Sequence, residues 1–76
     1  MPTIIVVAGF RVMVRSADHP PAHVHVTKAG CKVKIDLLTL DVVGASTMTR
    51  HEQTKALAIV QAHREVLLGI WREIHG

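Results

Sequence analysis

Three of the six histidines of this 76-residue chain, His19, His23 and His25, fall within seven residues of one another. Imidazole changes charge near neutral pH, so such a cluster can move protons, bind anions when charged or ligate a metal when neutral. In an extended strand His23 and His25 point to the same side roughly 7 Å apart, a separation that can bring both rings onto one ion, with His19 reaching in from a preceding loop. Neutral imidazole nitrogen suits zinc, nickel or copper, and zinc or nickel is the cofactor this reading implies. A His-x-His pair is equally the pattern of a solvated strand face. No regular Cys or His spacing completes a zinc-finger pattern, so Cys31 or Asp18 would have to be brought in by the fold.

The second chemical signal is cationic. Arg11 and Arg15 alternate with Phe10, Val12 and Val14, while Lys32 and Lys34 alternate with Val33, Ile35 and Leu37. If all the apolar sides share one core, Arg11, Arg15, His23, His25, Lys32 and Lys34 share the opposite face of a sheet. Such a face can hold the phosphates of RNA or DNA, or an acidic partner protein. The same residue types could instead cleave RNA without metal, His23 or His25 exchanging protons and Arg11 or Arg15 stabilising phosphate charge. No second acid-base group is placed by spacing, so catalysis ranks below binding. Nine basic against six acidic side chains, a net charge of +3, is compatible with an anionic partner and also with an ordinary solvated surface.

Three to four strands and a helix have to position these groups. The run Ile4-Ile5-Val6-Val7-Ala8 reads as a core strand, too short to span a membrane and with no basic residue before it to suggest a signal segment. After Gly9 comes the alternating strand through Arg15, then a loop from Ser16 to Pro21 in which two prolines prevent a ladder from continuing. Ala22 to Val26 and Val33 to Leu37 read as two antiparallel strands joined at Lys28-Ala29-Gly30. Residues 39–46 are compatible with a further short strand or a turn. Thr49 with Glu52 forms a capping box, so a helix starts near Arg50 and ends before Gly76.

At 100° per residue Leu57, Val60, Leu67, Leu68, Trp71 and Ile74 make one apolar stripe, widened by Ile59, Val66 and Ile70. An arc this broad exceeds what one sheet needs, so a homo-oligomer through the C-terminal helix is expected. Trp71 reads as a core or interface anchor, and His63 with Arg64 as groups that fix how the helix docks on the sheet or on a second subunit. The expectation is one domain over residues 1–76: an α+β fold with a small antiparallel sheet of three to four strands, followed by one long C-terminal helix. At 49% hydrophobic and 20% charged residues the chain is too apolar for a disordered tail. Domains of this size bury only about 60% of their unfolded surface and are marginal alone. Cys31 is the single cysteine, which excludes an intrachain disulfide and points to a reducing, cytoplasmic setting, and the short apolar run at Ile4–Ala8 leads to no membrane attachment being expected.

The segment Asp18-His19-Pro20-Pro21-Ala22-His23-Val24-His25-Val26 also carries a resemblance. With Met1-Pro2-Thr3, Gly9-Phe10-Arg11 and His63-Arg64-Glu65-Val66-Leu67-Leu68 through Trp71, it resembles domain-of-unknown-function family 4160. These are small bacterial proteins with a His-x-Pro-Pro-His-x-His-Val segment. Ala22 stands where the second family proline is usual, and Val12 to Arg15 lacks the aromatics that often follow the family's arginine. The resemblance implies a strand-rich N-terminal part followed by one helix, and membership of a toxin-antitoxin-like pair with a small cognate protein. It supplies no reaction.

Overall fold

The computed structural model describes residues 3–15 and 19–75. The Ser16–Asp18 part of the expected loop, Met1-Pro2 and Gly76 lie outside the described residues, as does the liganding role considered for Asp18.

Two hairpins build the sheet. β1 (Thr3–Val7) and β2 (Phe10–Val14) are joined by Ala8-Gly9, and β3 (His23–Lys28) and β4 (Cys31–Asp36) by Ala29-Gly30. Both two-residue loops have positive φ at each position, 51° and 81° in the first, 49° and 82° in the second. That is the type I′ turn, whose twist matches the right-handed twist of the flanking strands. Glycine adopts such angles without cost, whereas alanine carries a Cβ that opposes them. The strands form one antiparallel sheet in the order β1-β2-β3-β4.

The inward side of the sheet is the alternating apolar set. Phe10, Val12, Val14, Val24, Val26, Val33, Ile35 and Leu37 are buried, and α1 (Arg50–Ala62) and α2 (Arg64–His75) add Ala56, Val60, Leu67 and Trp71 to the same core. The capping box is present as expected: the Glu52 backbone N–H donates to the Thr49 hydroxyl and the Thr49 backbone N–H donates to the Glu52 carboxylate.

Two expectations are corrected here. The first strand is an edge strand of a sheet covered on one side, so its side chains divide between the faces: Ile5 packs on the core, while Ile4 and Val6 are 47% and 63% exposed. The single long helix is two helices. His63 stands between them with φ −110° and ψ 14°, its backbone N–H reaching both Ile59 and Val60 carbonyls. Its ring Nδ1 hydrogen-bonds the Ile59 carbonyl at 2.9 Å. A side chain competing for a ladder carbonyl is a known cause of helix bending. The bend lets most of the broad apolar arc close on the chain's own sheet, with Leu57, Ile59, Leu68, Ile70 and Ile74 partly buried against the core. Arg64 fastens the bend, its guanidinium donating to the Leu37 carbonyl at 2.6 Å and the Leu38 carbonyl at 3.3 Å.

The segment left open at 39–46 is neither a free turn nor a full strand. Val42 bridges Ile35, Val43 N–H donates to the Lys34 carbonyl and Thr47 N–H to the Lys32 carbonyl, and the Lys32 N–H donates to the Thr47 hydroxyl. The outer edge of β4 is thereby covered.

Candidate functional site

Sheet register decides which charged groups meet. On the face away from the helices, Arg11 stands opposite Thr27, which stands opposite Lys32; in the next row Met13, His25 and Lys34 are aligned; His23 stands opposite Asp36. Arg11, Arg15 and Lys32 are exposed, and His23, His25 and Lys34 are half-buried. The six residues expected to share a face lie on it, interleaved with Met13, Thr27 and Asp36. One Asp36 carboxylate oxygen accepts the Leu38 and Thr39 backbone N–H groups at 2.7 and 3.0 Å.

Two clefts open on this face, side by side. One, of about 330 Å³, is lined by His19, Pro20, Pro21, His23, His25, Lys34, Asp36 and Val43. Its neighbour, of about 270 Å³, is lined by Arg15, His25, Lys32, Val33, Lys34, Val43, Gly44 and Ala45. His25, Lys34 and Val43 belong to both walls, so an imidazole and an ammonium stand at the centre of the surface.

Ring contacts and a hydrogen bond surround His23. The His23 and His25 rings are 5.3 Å apart in an edge-on arrangement, and the His23 Nδ1 hydrogen-bonds the Pro21 carbonyl at 2.9 Å. The His23 ring is 5.4 Å from Trp71, and Trp71 stacks on His75 at 3.7 Å with 19° between planes. The last turns of α2 therefore reach the histidine end of the sheet. Sequence reasoning gave Trp71 no role beside the histidines and passed over His75; the i, i+4 spacing of Trp71 and His75 was the one available signal.

His19, His23 and His25 line one cleft, but among the described residues no group of three or more His, Cys, Asp or Glu side chains converges to hold a metal ion. Cys31 is half-buried beside the β3–β4 turn. Among the described residues no helix is long and apolar enough to cross a membrane.

A four-stranded antiparallel sheet backed by a bent helix pair, with its open face basic and histidine-bearing, defines an α+β domain. The chain belongs to the family described as Domain of unknown function (DUF4160), whose model matches residues 9–72. No curated protein and no solved structure matches it.

Proposed function

We propose that this chain is a small bacterial interaction module, a component of a toxin-antitoxin-like pair, whose open sheet face binds the phosphates of single-stranded nucleic acid. The observation that carries this reading is the adjacency of the two clefts about His25 and Lys34, with Arg15 and Lys32 in the wall of the second. Cations spaced by one strand, about 4.8 Å, or by two residues, about 7 Å, can follow successive phosphates of an extended strand. Val43, Pro21 and the His25 ring supply apolar surface for a base between them. A second reading, RNA cleavage by His23 and His25, draws on their 5.3 Å ring separation beside Lys34, a spacing at which one ring can take a proton while the other gives one.

Titrating labelled single-stranded RNA and a duplex of the same sequence at several salt concentrations tests both. Binding should weaken linearly with log salt, and Lys32→Glu or Lys34→Glu should cost about tenfold in affinity and reduce the salt slope by about one. Lys55→Glu, on the exposed side of α1, should leave both unchanged. Absence of binding at low salt, or equal weakening by all three variants, overturns the reading. Gels of the same mixtures settle cleavage: products lost in His23→Ala and His25→Ala establish it, and intact RNA throughout excludes it.

A further inference from the structure

The two edges of the sheet are treated differently. β4 is covered by residues 42–47 through the backbone bonds to Lys32 and Lys34, whereas β1 ends the strand order and no described strand lies beyond it. Edge strands usually carry devices against pairing, such as lysine, proline or a bulge within the strand. β1, Thr-Ile-Ile-Val-Val, carries none of these and no charged side chain. Of the large hydrophobics that remain exposed, Ile4 and Val6 are on this strand, and a single one, Val66, is on the helices.

We infer that β1 is a self-association strand, pairing antiparallel with β1 of a second copy of this chain to join two four-stranded sheets into one of eight. The register follows from the hairpin. Val7 and Phe10 flank the two-residue turn, so residues 3, 5 and 7 direct their backbone groups to β2, while Ile4 and Val6 direct theirs to the open edge. A two-fold axis at Ile5 uses the whole five-residue strand: Ile4 exchanges hydrogen bonds with Val6 of the second copy, and Ile5 meets its own counterpart as a non-hydrogen-bonded pair. The pairs Ile4–Val6 and Ile5–Ile5 join β-branched side chains, which are favourable opposite one another, and no like charges meet across the axis. A second copy fits better than an acidic peptide or nucleic acid, since β1 presents no cation to either. The axis runs through the sheet, so both helix layers lie on one side and both basic faces on the other, making one continuous surface with the four Ile4 and Val6 side chains at its middle. The pairing stands on β1 alone and does not depend on what the basic face binds.

Sedimentation across a dilution series tests association, and cysteine substitution in a Cys31→Ser background tests the register. Val6→Lys, at an already exposed position, should weaken dimerisation about tenfold or more, while Val66→Lys leaves it unchanged. Under mild oxidation Ile5→Cys should cross-link to its counterpart, because Cα atoms of such pairs stand about 4.5 Å apart, within disulfide reach; Val6→Cys, displaced from the axis, should not. A wild-type chain that sediments as a monomer at all concentrations, or a dimer that Val6→Lys spares and Val66→Lys dissociates, overturns the inference, the latter assigning association to the helix.

Discussion

Trp71 joins core to site through two ring contacts, one to His75 at 3.7 Å and one to His23 at 5.4 Å. The indole is buried, with 8% of its surface exposed, so its position is set by the core and it in turn limits how the imidazoles can lie. The stack with His75 is worth about 0.5–1.5 kcal/mol beyond the area it buries. His75→Ala should therefore lower unfolding stability by that amount in urea titrations and shift the emission of Trp71, which is the single tryptophan. An unchanged spectrum would show that the stack does not form. The alternation of His23 and His25 with Val24 and Val26 put these residues in view, because period two separates an inward from an outward side. Their aromatic neighbour Trp71 was not in view, since it lies forty-eight positions beyond His23 and local spacing carries no information about that contact.

At the scale of the element, the hairpin turns are where local chemistry is least favourable. Ala29 holds φ 49° before Gly30, a left-handed angle that strains any residue with a Cβ, and asparagine tolerates it best among side chains. Ala29→Asn, giving the Asn-Gly pair favoured in type I′ turns, should stabilise the fold by about 0.5–1 kcal/mol, raising Tm by several degrees in a domain of this size. A lowered Tm would mean that the turn is not of this type. The helix start was legible at Thr49 and Glu52 because a cap is a local hydrogen-bonding pattern. The bend at His63 was not, because it contains neither proline nor glycine and depends on a ring nitrogen meeting the Ile59 carbonyl.

For the molecule as a whole, a small core and an open strand edge make stability and association one question. A chain of 76 residues has little apolar surface to bury alone. Pairing at β1 would add to native-state stability by mass action. Differential scanning calorimetry of the wild-type chain should show Tm rising with concentration, and Val6→Lys should remove that dependence. A constant Tm over the range in which sedimentation detects dimers would separate assembly from folding. The sequence reading located surplus apolar surface on the helix, on the strength of an arc running from Leu57 to Ile74. In the structure most of those side chains pack on the core while Val66 stays exposed, and the most exposed pair on a single element, Ile4 and Val6, is at the other end of the chain.

From the residues in order came the alternation of the inner strands, the Ala-Gly turn between β3 and β4, the capped helix start, and the common side of Arg11, Arg15, His23, His25, Lys32 and Lys34. All of these follow from periodicity or from contacts a few positions apart. Tertiary structure decided that β1 is an edge, that the helix bends at His63, that residues 42–47 close the edge of β4, and that Trp71 of α2 stands against His23. Apart from the His63 ring bond to the Ile59 carbonyl, these features depend on contacts between segments distant along the chain, where burial and backbone pairing are settled by the whole fold and not by any window of sequence.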